Sequence, residues 1–291
     1  MGCGNYSYTN DVQRKLQNAS MAQEEVFSQR NMSAEMNIYG KIRECRDSEE
    51  HPDTFPIIIA LDTTGSMGEI PRRLVTKDFP VIMQKIMEAG VAHPQVCFVG
   101  IGDQYTDGAP IQVGQFEASD DLLDKWLKTI WLEGGGGGNG GESYQLAWHF
   151  ATAHTSVDAY SKRGVKGVLI TIGDEPTHKS LHKDEIKRFF GDGCESNIST
   201  VQLLDEAQKS WNVFHINLKD WSGANPTTQG QWTELLGEHF INTESSVGED
   251  IPNIIANVVI ASYKGDSHIE SPLNSSPTST NENEANSAHL R

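Results

Sequence analysis

Four short apolar runs rich in β-branched residues punctuate the chain, at residues 57–61, 96–101, 168–172 and 213–216. Apolar at successive positions rather than alternate ones, they predict strands covered on both faces. Between them lie stretches with apolar residues at helical spacing: 70–87 with a restart at Pro80, then 122–131, 144–153 and 184–190. Strands separated by helices imply βαβ units with right-handed crossovers. The predicted class is α/β, a doubly wound, mostly parallel central sheet flanked by helices. Residues 109–116 alternate more weakly and predict a short edge strand. Ile251, Ile254, Ile255, Val258 and Val259 mark a last amphipathic helix, with Pro252 in its first turn.

The flanks differ in pattern. Val12, Leu16, Ala19 and Val26 fall roughly on one face of an amphipathic helix within 11–30, started by Thr9, Asn10 or Asp11. Residues 43–55 are charged and bounded by prolines, which suggests a linker or cap. After Tyr263 the chain is rich in Ser, Asn and Glu, a composition that cannot offset chain entropy by burial. The organisation expected is a helical arm and linker over 1–50, an α/β domain over 51–263, and a disordered tail over 264–291.

Charge and cysteine content narrow the classes. Lys and Arg total 23 against 40 Asp and Glu, a net charge of −17. That balance repels nucleic acid and anionic membranes and favours cationic partners, metal ions included. Cys3, Cys45, Cys97 and Cys194 are scattered without a Cys-x-x-Cys pair, so reduced thiols and a cytoplasmic location are expected. No apolar stretch has the length of a bilayer span. Met1-Gly2-Cys3 does not make a myristoylation signal, since Tyr6 stands where Ser or Thr is required.

The chemistry concentrates where the runs end. The first passes directly into Asp62-Thr63-Thr64-Gly65-Ser66, which places one carboxylate and two hydroxyls at alternate positions. Two more runs end in Gly102-Asp103 and Gly173-Asp174. In an open α/β sheet these termini share the edge where ligands bind. Carboxylates converging there repel one another unless a cation or hydrogen bonds compensate. Small oxygen ligands on a tight turn suit a hard divalent cation, Mg²⁺ or alternatively Mn²⁺. Helix capping by Asp, Thr and Ser is the competing account of the first motif. Glycines 134–138 followed by Asn139, Gly140, Gly141, Glu142 and Ser143 lack the Lys of a phosphate loop. They suit instead a loop that delivers Asn139 or Ser143 to the metal.

This order of motifs resembles a von Willebrand factor A domain of the intracellular type, over about residues 56–262. The resemblance implies a metal-ion-dependent adhesion site in which Thr64 and Ser66 ligate Mg²⁺ directly, while Asp62 and Asp174 act mostly through water. The family's second loop supplies a threonine; none lies between Ile130 and Ala151, and Asn139 stands at that position. The function implied is metal-dependent protein binding, in which a partner's Asp or Glu completes the coordination. Intracellular members commonly serve assembly or regulation beside ATPases. No enzymatic activity is expected from this reading.

A second resemblance leads elsewhere. Asp62-Thr63-Thr64 is also similar to the phosphorylated-aspartate motif of haloacid-dehalogenase-type phosphatases, and Gly173-Asp174 to their magnesium motif. Asp62 would then be the nucleophile. Thr64 stands where such an enzyme wants its general acid, and only Glu175 supplies acidity beyond Asp174. Among the remaining residues, His178 and His182 at i and i+4 are expected to be solvated surface histidines. His149 and His154, five apart, would not share a helix face. Trp126, Trp131 and Trp148 are assigned to core packing.

Overall fold

Every residue of the strand Phe55–Asp62 is buried, as a run without polar alternation requires. The computed structural model describes residues 4–67, 69–134, 140–219, 221–243 and 250–265. The central sheet contains β1 (Phe55–Asp62), β2 (Pro94–Ile101), β3 (Ile111–Val113), β4 (Gly167–Gly173), β5 (Trp211–Asn217) and β6 (Phe240–Asn242). Their spatial order is β6-β5-β4-β1-β2-β3, all parallel except β3, which runs antiparallel at one edge. The predicted doubly wound α/β class is therefore the observed one. The three-residue β6 at the other edge was not legible as a strand.

Alternation within β1 builds two cores. Ile57, Ile59 and Leu61 pack on one side, with the helices Phe79–Glu88, Asp120–Thr129 and Ile251–Lys264. Ile58 and Ala60 pack on the other, with Gln145–Ala153, Lys183–Phe190, Thr200–Ser210 and Pro226–Leu236. With the N-terminal helix Tyr8–Ala19 first, these main helices are α1 to α8 in chain order: α2 Phe79–Glu88, α3 Asp120–Thr129, α4 Gln145–Ala153, α5 Lys183–Phe190, α6 Thr200–Ser210, α7 Pro226–Leu236 and α8 Ile251–Lys264. The restart expected at Pro80 is a widened π-turn over Leu74–Asp78, between the short helix Ile70–Arg73 and α2. A proline lacks the N–H of a regular turn and its ring crowds the turn before it, and a wider turn relieves both. Trp148 and Trp126 lie in the core, whereas Trp131 is half-buried beside the edge strand.

Two expectations about the arm are corrected. Residues 43–55 are not a bare linker: Arg43–Cys45 forms a strand parallel to Thr155–Val157. The helix α1 buries its polar face, Asp11, Lys15 and Asn18, while Leu16 is 69% exposed. Lys15 Nζ lies 2.8 Å from Asp124 of α3 and 3.4 Å from Asp11. Asn18 donates to Asp124 at 2.8 Å and to the Val75 carbonyl at 3.2 Å. Polar groups can be buried this way when each is paired. The periodicity marked a helix; the ion pairs decided which face turned inward.

Helix α8 ends at Lys264 with Gly265 as its cap, and the rest of the expected tail lies outside the described residues. No helix among the described residues is long and apolar enough to cross a membrane.

Candidate metal centre

The sheet's strand order reverses beside β1. From there the chain moves to β2 and β3 on one side, then jumps to β4 and continues to β5 and β6 on the other. Such a switch point opens a crevice beyond the carboxyl ends of the two diverging strands. Asp62 is the last residue of β1, and Asp174 directly follows β4.

Local bonding sets which side chains face that crevice. Thr63 turns aside, donating through its N–H and its hydroxyl to the Ile101 carbonyl, at 2.8 and 3.0 Å. A short 3-10 turn over Gly65–Met67, plugged into the core by buried Met67, then folds Ser66 back toward the strand end. Thr64 donates to Asp62 Oδ1 through its hydroxyl at 2.6 Å and its N–H at 2.8 Å. Ser66 donates to Asp174 Oδ1 at 2.8 Å, and the two hydroxyl oxygens lie 3.2 Å apart. Asp62, Thr64, Ser66 and Asp174 are thus brought together in one bonded chain. Asn139 lies outside the described residues.

Helix α4 supplies the third wall. Tyr144, at its N-cap, donates to Asp62 Oδ2 at 2.8 Å. A Cβ at Gly173 would fall 1.8 Å from that hydroxyl, so only glycine admits the contact. Ser143, a candidate ligand from the sequence, instead accepts the Gln104 N–H at 2.8 Å. Its neighbour Glu142 was missed. Backbone bonds hold Glu142 against the loop after β4, its N–H to the Pro176 carbonyl and its carbonyl to the His178 N–H. Its carboxyl is buried, and Oε2 has no hydrogen-bond partner.

The electrostatics mark this as a site of surplus negative charge. Burial, then Asp62, Asp103, Asp107 and Glu175, push the Glu142 carboxyl up to about 10. Burial raises Asp62 to about 7 against the opposing bonds from Thr64 and Tyr144, with Asp174 adding to the rise. Tyr144 is raised well above its ordinary value by burial and then by Asp62, and stays a donor.

Asp103, the third strand-end aspartate, is held differently. It accepts from the Tyr105 N–H, the Thr106 hydroxyl and His178 Nε2, the last at 2.9 Å. His178 is therefore no solvated surface histidine, although His182 is exposed.

The donor set fits a hard cation. Each hydroxyl sends its proton to a carboxylate, which leaves oxygen lone pairs for a ligand. Adjacent ligands of octahedral Mg²⁺ at 2.1 Å are about 3.0 Å apart, close to the spacing of the two hydroxyls. Glu142, a buried carboxyl with an unpartnered oxygen among other acids, is what a cation would compensate. Ser66 is exposed, so the site opens to solvent on that side.

No protein-family model and no curated protein matches the chain. Among solved structures it is similar to the pilus adhesin SpaC from Lactobacillus rhamnosus GG in its open conformation, with 12% identity, a TM-score of 0.48, and coverage of 77% of this chain and 31% of that one. It is also similar to proximal thread matrix protein 1 from the mussel byssus, with 9% identity, a TM-score of 0.46, and coverage of 76% and 49%. The chain spans less than half the length of either structure.

Proposed function

We propose that this chain is a metal-dependent protein-binding module of the von Willebrand factor A type. The observation that carries the reading is the bonded chain Asp62–Thr64–Ser66–Asp174 at the switch point, with the buried Glu142 beside it. Thr64 and Ser66 would hold Mg²⁺ through their hydroxyl oxygens, and Asp62, Asp174 and Glu142 would balance its charge. When bound, the ion supplies an electrophilic position that an Asp or Glu of a partner can fill. Tyr144 keeps Asp62 oriented, and Thr63 fixes the turn that presents both hydroxyls.

A binding role is favoured over the phosphatase role by the state of Asp62. Its carboxylate is fully buried, Oδ1 accepts two bonds and Oδ2 a third. An attacking carboxylate needs an accessible lone pair aimed at phosphorus. We place the protein in the cytoplasm, in keeping with the free thiols of Cys45, Cys97 and Cys194, and its partner in an assembly of the kind that accompanies an ATPase.

Calorimetry on chelator-stripped protein tests the reading. Mg²⁺ should bind once per chain, and Asp62→Ala should abolish the heat. An unchanged titration in that variant would sink the proposal.

A further inference from the structure

Helix α4 begins at the strand-end site and finishes, about 13 Å along its axis, at a second cluster of quite different chemistry. His149 lies in its second turn. His154 stands just past its end, with φ −122° and ψ 18°, out of helical register. Asp192 follows Gly191, whose left-handed backbone, φ 84°, ends α5 and turns the chain back toward α4. Nε2 of His149 and Nε2 of His154 both converge on Asp192 Oδ2, at 3.1 and 2.8 Å. The three atoms lie within 4.8 Å of one another, and both histidines are buried. The two histidines do not share a helix face, as their five-residue spacing requires; they meet because the chain leaves the helix after Ala153.

The protonation pattern decides what this cluster suits. His154 Nδ1 sits 2.8 Å from the Lys41 carbonyl, which can only accept, so Nδ1 carries the hydrogen. In the neutral ring Nε2 then presents a bare lone pair to the Asp192 oxygen. That lone pair and the carboxylate oxygen repel unless a proton or a metal ion stands between them. The two rings stand side by side, their centroids 5.9 Å apart and Phe190 packed against both, so both Nε2 atoms address the same oxygen from one side of the cluster. A ring whose Nδ1–H is held by a backbone carbonyl while Nε2 is free to ligate is the usual arrangement around protein-bound metals.

We propose that His149, His154 and Asp192 form a second metal site, selective for Zn²⁺ or a similar imidazole-preferring ion. Ligand atoms of tetrahedral zinc stand about 3.3 Å apart, so the two nitrogen–oxygen spacings, 3.1 and 2.8 Å, need to open by only a few tenths of an ångström. The Asp192 side chain is 37% exposed, which leaves the fourth position to water. The ion would tie α4 to the turn after α5. Through His154, whose carbonyl accepts from Arg43 N–H at 2.8 Å, it would also hold the strand Arg43–Cys45. Two nitrogen donors give this site no preference for Mg²⁺, in contrast to the oxygen ligands at the strand ends.

Full-length protein stripped with chelator, then titrated with Zn²⁺ in excess Mg²⁺, tests the assignment. Wild type should bind one Zn²⁺ per chain that Asp192→Asn and a His149→Gln/His154→Gln double variant each weaken at least about tenfold. Asp62→Ala should leave it unchanged. Asp192→Asn alters a part-exposed side chain, so it decides the matter even where the double variant misfolds. Co²⁺ in place of Zn²⁺ should give an absorption spectrum without a thiolate charge-transfer band. Undiminished zinc binding in Asp192→Asn, no zinc binding in wild type, or a thiolate band would each overturn the assignment.

Discussion

The two ends of helix α4 carry opposite solutions to buried polarity. At its start, carboxyl groups are brought together and share too few donors, so protons or a hard cation must make up the deficit. At its finish, two imidazoles meet one carboxylate oxygen with their nitrogens already aimed at a common point. The first end offers oxygen ligands and opens through Ser66; the second offers mostly nitrogen and opens through Asp192. Ligand chemistry alone therefore separates the ions that each end should take, although one helix positions both. On the proposed readings the same comparison separates their tasks: an exchangeable position facing partners at one end, and a clamp between chain segments at the other.

The sharpest way to break this comparison is Asp62→Ala. We expect Mg²⁺ affinity to fall more than about a hundredfold while Zn²⁺ affinity holds, because Asp62 orients Thr64 and belongs only to the strand-end site. Calorimetry with each ion in turn reads both. Parallel losses would mean one shared site, and the contrast would collapse.

Glu142→Gln comes next, with an expected loss of about tenfold in Mg²⁺ affinity and a gain in cation-free stability at alkaline pH. The sign follows from linkage. The folded carboxyl is raised from the ordinary 4.5 to about 10, so across that window the native state binds more protons than the unfolded one. Stability of the cation-free protein should then fall as pH rises through the window, with Asp62 contributing to the fall up to about 7. Melting curves in EDTA should show the decline, and Mg²⁺ or Glu142→Gln should flatten it. A melting temperature that rises from pH 5 to 9 in EDTA would contradict the charge surplus on which the site rests.

Much of this was legible in the chain, and the misses share a cause. Apolar runs such as 57–61 reveal buried strands because their composition leaves no other place for them, and the aspartates at their ends follow from chain direction alone. Glu142 was hidden because its role depends on the loop after β4 pairing with it, a contact between segments more than thirty residues apart. A lone acidic residue between glycines and a helix start was the signal available. The meeting of His149 and His154 was hidden because it depends on how the chain turns after the helix ends, and Asp192 comes from a separate element. The buried polar face of α1 likewise depends on Asp124, far along the chain. Local pattern fixes elements and their ends; charge pairs between distant elements fix which faces meet.

A smaller effect is expected from Gly173→Ala. The added methyl would collide with the Tyr144 hydroxyl and push α4 away from Asp62. Overpacking of this kind costs about 1–3 kcal/mol, and loss of the Tyr144 bond should lower Mg²⁺ affinity several-fold. The His149, His154 and Asp192 cluster lies at the far end of the helix, so a tilt about that end leaves it nearly intact. A thermal melt and paired Mg²⁺ and Zn²⁺ titrations measure all three quantities. Equal losses of both ions would show that α4 transmits the strain along its length.

The smallest expected effect is none, and it concerns turnover. Asp62 can act as a phosphatase nucleophile only if one oxygen leaves its hydrogen bonds and reaches solvent, yet both oxygens are engaged and the residue is fully buried. A general acid is also needed at the leaving group, and the side chain two residues on is Thr64, whose proton is committed to Asp62. Full-length protein with Mg²⁺ and an aryl phosphate should therefore release product no faster than the Asp62→Asn variant. Adding Zn²⁺ should change nothing, since the His149 and His154 site stands a helix length away from the Asp62 carboxylate. Turnover that Asp62→Asn removes would replace the binding module with an enzyme and make the strand-end cation part of its chemistry. Turnover that survives Asp62→Asn but vanishes in Asp192→Asn would instead place hydrolysis at the zinc cluster, reversing the roles assigned to the two ends of α4.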